Sequence, residues 1–312
     1  MGAVTVAAVG SKEVGPELGK RGTQSDLTLY NSVRDGHAVT VVEPTQFPEK
    51  FPPLLFALAL ADRIVFHVPA LTKEVAETAA TVDLFDAPVL QLLGAGVGEA
   101  ELRKLFAGTR LATAPAETLD VPRLRTTAAG WSVEPRTGPG FVRVDHAFPV
   151  KGVGAVVLGV VREGTVAAHA RLRLYPTDRE VEVRSLQVHD VDVREAATGE
   201  RVGLALRGVE AEELSRGQTL AVPGSMEVAQ ELVADGWTKC PFYRGTPAAG
   251  QSLHALVGLQ FVPARLTAIE GGTVRLTPDR PVAFRPGDSV HVADLSAPSG
   301  PRIVGRATAR RP

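Results

Sequence analysis

Gly199-Glu200-Arg201-Val202-Gly203-Leu204-Ala205-Leu206-Arg207-Gly208-Val209, followed by Glu212-Glu213-Leu214-Ser215-Arg216-Gly217-Gln218-Thr219-Leu220-Ala221, is the stretch on which the fold turns. Gly203, Gly208 and Gly217 stand at turn or bulge spacing, where a residue without a Cβ lets a small barrel close. Arg207-Gly208 and Arg216-Gly217 read as solvated strand ends. Outward from this stretch, the chain from Phe141 onward keeps a two-residue period, as in Val142-Arg143-Val144, Arg171-Leu172-Arg173-Leu174-Tyr175 and Glu180-Val181-Glu182-Val183-Arg184. Turn residues recur at roughly 8–12-residue intervals, the pattern of a barrel or sandwich. A break at Ala221-Val222-Pro223-Gly224-Ser225 opens a second β domain, punctuated by Gly271-Gly272 and Arg285-Pro286-Gly287-Asp288.

The amino-terminal part follows another rule. Short apolar runs at Val4–Val9, Ala38–Val42, Arg63–Val68 and Pro88–Leu93 alternate with helical patterns at Phe51–Ala61, Lys73–Leu84 and Gly98–Phe106. This alternation predicts a parallel sheet covered by helices. Between Ala107 and Pro139 the period weakens into a Thr/Ala/Pro/Gly-rich stretch expected to be a linker. The domains are therefore expected at 1–138, 139–223 and 224–312, in the class α/β plus all-β.

Composition sets the outer limits. The 312 residues suffice for two or three domains of about 100–150 residues each, and 44% hydrophobic content fills real cores. With 34 Lys+Arg against 35 Asp+Glu the net charge is −1, which excludes a global basic field and argues against DNA as a partner. The lone Cys240 excludes an intramolecular disulfide framework and suits a reducing compartment. The start lacks a basic leader, and the longest apolar run, Phe51–Ala61, contains two prolines and ends at Asp62-Arg63. A cytoplasmic protein with no membrane partner is expected. Its oligomeric state is left open.

The Gly199–Ala221 stretch closely resembles the end of domain 2 in elongation factor Tu and its relatives, including the selenocysteine-specific elongation factors. Phe148-Pro149-Val150-Lys151-Gly152-Val153-Gly154-Ala155-Val156-Val157-Leu158-Gly159-Val160-Val161-Arg162-Glu163-Gly164 is similar to the opening hairpin of the same barrel. Cys240-Pro241-Phe242-Tyr243-Arg244-Gly245, Arg285-Pro286-Gly287-Asp288 and Ile303-Val304-Gly305-Arg306-Ala307 resemble the domain 3 barrel. The resemblance implies a P-loop GTPase-like domain over 1–138, followed by two small β barrels.

That domain departs from the family where its chemistry should lie. A phosphate loop reads G-x-x-x-x-G-K-[ST], its amides and lysine holding phosphates and its hydroxyl magnesium. Here Gly10-Ser11-Lys12-Glu13-Val14-Gly15-Pro16-Glu17 keeps both glycines, Gly10 and Gly15, but Pro16 replaces the lysine and Glu17 the hydroxyl. Pro16 removes a charge and an N–H donor, and Glu17 opposes phosphate. The D-x-x-G-H element falls at Glu43-Pro44-Thr45-Gln46-Phe47, which keeps a carboxylate at Glu43 but neither glycine nor histidine. The N-K-x-D that selects guanine is replaced by Gly94-Ala95-Gly96-Val97-Gly98 after a strand. Gly19 to Asn31 occupies the switch position, either as a shortened structural loop or as a partner-binding loop. The sequence thus predicts a degenerate GTPase-like domain with no cofactor. The alternative is a divergent domain that uses GTP and magnesium through Lys12, Lys20 or Glu43.

Other constellations are sparse. The seven histidines show no metal-ligand spacing, so no metal site is expected. His189-Asp190, read as adjacent strand residues, are expected to point to opposite faces. No serine elbow or paired carboxylates are readable, and no catalytic residue is assigned. The resemblance implies a pocket for the aminoacyl end of tRNA at Gln187, Arg201 and Val202, with Gln187 standing where the family has a carboxylate. Arg302, Arg306, Arg310 and Arg311 form a basic end, read either as a solvated tail or as a phosphate contact. The expected function is that of an elongation factor-like protein without GTPase activity, binding tRNA, the ribosome or another translation component. The alternatives are a GTP-binding factor with residual GTPase activity and a protein-interaction scaffold.

Overall fold

The computed structural model describes residues 2–34 and 36–311, and for Thr23 the backbone alone. Met1, Asp35, Pro312 and the Thr23 side chain, all within stretches read above, lie outside the described residues. The chain divides into two compact units. One takes Met1–Val133 with Cys240–Gly245 and Leu295–Ile303; the other takes Glu134–Lys239, Thr246–Asp294 and Val304–Pro312.

The first unit is built on a seven-stranded sheet. Its strands are β1 (Gly2–Val9), β2 (Lys20–Gln24), β3 (Thr28–Arg34), β4 (His37–Glu43), β5 (Arg63–Val68), β6 (Val89–Leu93) and β7 (Ala116–Thr118), in the order β2-β3-β4-β1-β5-β6-β7. From β4 to β7 the strands run parallel, and β2 and β3 add an antiparallel edge. The continuous apolar reading of β1 follows from burial on both faces, with Val4, Val6, Ala8 and Val9 at most 1% exposed.

The helices are α1 (Val14–Leu18), α2 (Pro52–Leu60), α3 (Lys73–Val82), α4 (Glu99–Leu105) and α5 (Val121–Ala129). Two prolines preset the first turn of α2. The Thr72 hydroxyl accepts from the Val75 amide at the start of α3, and Asp120 accepts from Arg123 at the start of α5.

Two expectations need correction. The weak-period stretch from Ala107 is no linker up to Val133: it supplies β7 and α5. Its signal is faint because β7 is three residues long and α5 buries only Leu124 and Ala128. The Gly19–Asn31 segment is not a loop but the β2–β3 hairpin, polar because it forms the sheet edge.

In the second unit, β8 (Phe141–Val150) pairs with β9 (Gly154–Glu163), and β9 with strand Arg201–Arg207. Strands Arg179–Val188, Arg171–Tyr175 and Thr219–Ala221 continue the sheet back to β8, closing a barrel around Val142, Val157, Val183, Leu204 and Leu220. A second closed barrel is formed by strands Leu232–Lys239, Thr273–Pro278, Gln260–Glu270, Ser252–Val257, Ser289–Ala293 and Ile303–Arg310.

Close approach explains one barrel glycine in particular. A Cβ on Gly159 would lie 2.4 Å from the Arg143 carbonyl oxygen, a backbone atom with nowhere to go. A Cβ on Gly203 would meet only the end of Leu158, at 3.4 Å. Gly159→Ala is expected to lower stability by at least about 2 kcal/mol and Gly203→Ala by under about 1 kcal/mol, read from urea midpoints at unchanged slope.

Candidate functional site

In an open parallel sheet, ligands bind beyond the carboxyl ends of the strands, where the strand order reverses. Here that place lies between β1 and its neighbours β4 and β5. The chain leaves β1 through Gly10, at φ +91°, and a Cβ there would sit 2.1 Å from the His67 carbonyl oxygen. Gly10 is thus fixed by both conformation and space.

Beyond it, the Ser11 hydroxyl lies 2.7 Å from His67 Nδ1, and the Glu13 amide donates to Ser11 Oγ at 3.2 Å. A Glu13 carboxylate oxygen stands 3.9 Å from the same Nδ1. Burial pushes the His67 pKa down, against the pull of Glu13, so the imidazole is neutral at pH 7. A serine–histidine–carboxylate relay needs the acid on the ring nitrogen opposite the serine. Both groups here meet one nitrogen, so the trio fastens the loop and does not activate Ser11.

Pro16 and Glu17 both lie in the five-residue α1. Arg125 from α5 donates to the Glu17 carbonyl at 2.6 Å and to its carboxylate at 2.8 Å. Gly15 is pressed onto Tyr30 and Glu43: a Cβ would lie 2.5 Å from the Tyr30 ring and 2.9 Å from Glu43 Oε2. Glu43 ends β4 at 3% exposure, with Tyr30 Oη 3.5 Å from Oε1 and Oε2 lacking a hydrogen-bond partner. Burial raises its carboxyl to about 7, against the opposing charge of Lys12. After β6, Gly94 turns so tightly that a Cβ would lie 2.7 Å from Pro69 Cα.

The fold implies a magnesium–guanine nucleotide in this position. The residues present do not fit one. The lysine position is a helical proline, the magnesium hydroxyl is a paired glutamate, and the carboxyl at the end of β4 is held partly protonated against an aromatic ring.

In the first barrel the three residues proposed for a tRNA end lie on two paired strands, with Gln187 opposite Gly203 and Val188 opposite Val202. Gln187 is exposed and donates to Asp192 at 2.9 Å. Val202, 1% exposed, belongs to the barrel core. Arg201 makes a two-pronged contact with Asp145, at 2.9 Å through Nη2 to Oδ1 and through Nη1 to Oδ2. The Asp145 side chain is 1% exposed and also meets His146 Nδ1 at 2.7 Å. Burial alone would raise the Asp145 pKa, but Arg201 and the hydrogen bonds hold it below the usual carboxylate value. Sequence reasoning missed both Asp145 and His67, whose partners are 56 residues away in each case.

The basic end is largely consumed as well. Arg302 meets Glu77 at 2.7 Å, Arg310 meets Asp235 at 2.9 Å and Arg311 meets Glu227 at 2.9 Å. Among the described residues, no helix is long and apolar enough to cross a membrane.

Comparison with known proteins finds this sheet order and these barrels among translation factors. Residues 154–221 match the family model described as elongation factor Tu domain 2. An uncharacterized protein of Methanocaldococcus jannaschii is 36% identical over 310 residues, 98% of this chain and 99% of that one. The selenocysteine-specific elongation factor of the same organism is 38% identical over 124 residues, 39% of this chain but 26% of that one. Among solved structures, translation elongation factor SelB from Methanococcus maripaludis, in complex with a GTP analogue, matches with a TM-score of 0.84 at 20% identity. That match covers 100% of this chain and 79% of the solved one. The chain belongs to the elongation factor Tu and selenocysteine-specific elongation factor family of translational GTPases.

The Glu43 carboxyl makes a test of the loop geometry. Raised from 4.5 to about 7, it holds its proton more tightly folded than unfolded. The stabilisation is full below pH 4.5 and is lost as pH climbs to about 7, a change on the order of 3 kcal/mol. Urea midpoints of the native chain are expected to fall over that window and then level off, whereas Glu43→Gln removes this fall.

Proposed function

We propose that this protein is an elongation factor-like component of translation that works without nucleotide chemistry, binding tRNA, the ribosome or another translation component in the cytoplasm. The observation that carries this reading is the packing of Gly15-Pro16-Glu17: a glycine on Tyr30 and Glu43, a proline for the lysine and a glutamate tied to Arg125. The loop has exchanged its phosphate contacts for internal ones. Losing charge-assisted contacts of about 1.5–3 kcal/mol each lowers nucleotide affinity by orders of magnitude. The barrels keep the family architecture, so the parts that meet other components outlast the timing device. No cofactor belongs to this function.

Calorimetric titration with GTP, GDP and ATP plus magnesium is expected to give no binding heat up to about millimolar nucleotide. Ribosomes or tRNA are expected to retain the protein at low salt and release it as salt rises. A micromolar, magnesium-dependent nucleotide signal would overturn the first half of this reading; absence of any translation component bound at low salt would overturn the second.

A further inference from the structure

At the amino ends of β5 and β6, on the sheet edge opposite the Gly10–Glu17 loop, lies a cleft of about 380 Å³. Ile64, Leu90 and Pro115 give it an apolar lining, and Trp131, 9% exposed, walls one side. Its size falls in the range of small-molecule sites, which join an apolar lining to a few placed polar groups.

Two arginines stand at this cleft and no carboxylate lines it. Their situations differ. Arg110 is spent on structure: its guanidinium donates to the Val82 carbonyl at 3.1 Å and to the Ala87 carbonyl at 2.9 Å. Arg63 is held over the Trp131 ring, 5.6 Å from its centroid, with no hydrogen bond or ion pair among the described residues. A guanidinium stacked on an indole and left with its donors open is prepared for a planar anion. Among the described residues, the large exposed apolar side chains of this unit, such as Val33, Leu71 and Leu105, do not line the cleft.

We propose that this cleft is a binding site for a small aromatic or branched aliphatic carboxylate. Its apolar body lies against Trp131, Ile64 and Leu90, and its carboxylate takes the Arg63 guanidinium. The site is separate from the loop and the barrel and does not depend on the translation reading.

The test uses the full chain labelled with 5-fluorotryptophan, whose two tryptophans, Trp131 and Trp237, give two fluorine signals assigned by Trp237→Phe. The probes are 1-naphthoate and its neutral analogue 1-naphthalenemethanol. The carboxylate is expected to shift the Trp131 signal saturably below about millimolar concentration and to leave the Trp237 signal in place. Arg63→Leu is expected to weaken 1-naphthoate by about tenfold or more without changing the alcohol, and Arg63→Lys to weaken it less. Unchanged urea midpoints identify variants that still fold. A static Trp131 signal in the native chain, or equal binding of the two probes with and without Arg63, would overturn the site. A Trp131 shift caused by ribosomes but not by 1-naphthoate would assign the cleft to a macromolecular contact and overturn it too.

Discussion

The first barrel depends on one buried carboxylate. Asp145 sits on β8 and receives both terminal nitrogens of Arg201 from the strand across β9, while its backbone carbonyl accepts from Arg216 in the loop before Thr219–Ala221. Three stretches distant in sequence are thereby held at one point. Such a pair is expensive to desolvate, and removing either partner alone leaves an uncompensated charge in the interior. The arginine that the family resemblance places at a tRNA-end pocket is here engaged by Asp145.

Under the proposed function the amino-terminal unit keeps a fold without its chemistry. The parallel sheet is specified by buried Val, Ala and Leu on β1, β4, β5 and β6, outside the Gly10–Glu17 loop. Substitution of the loop therefore leaves the core intact. Internal partners then take up the groups that would otherwise be exposed or charged: His67 for Ser11, Arg125 for Glu17, and Tyr30 beside Glu43. The left-handed turn at Gly10 survives because the His67 carbonyl still crowds that position, with or without a nucleotide.

Much of this architecture was legible from periodicity. Runs such as Val4–Val9 and Arg63–Val68 are buried on both faces, and the Lys73–Val82 helix carries its own cap. Several of the elements that were missed bury little: β2 is a polar edge, β7 is three residues long, and α5 rests on two side chains; β3 and the short α1 were missed although they bury Leu29, Tyr30, Val14 and Leu18. At the candidate site the loss of lysine and hydroxyl could be read from Pro16 and Glu17 alone. What replaced them could not, since Ser11 and His67, Glu17 and Arg125, and Asp145 and Arg201 meet only after folding. Local spacing carries no signal for pairs so far apart.

The β2–β3 hairpin has a wider consequence. Strand β3 is laced to β4 from Thr28 opposite Glu43 to Arg34 opposite His37, so the end of the segment at the switch position is built into the sheet. A factor with a movable segment carries its own clock, spending a chemical event to leave its partner. Under the proposed function this chain has no clock. Its occupancy on any partner follows abundance and dissociation rate alone, and a cell adjusts it by changing how many copies it makes.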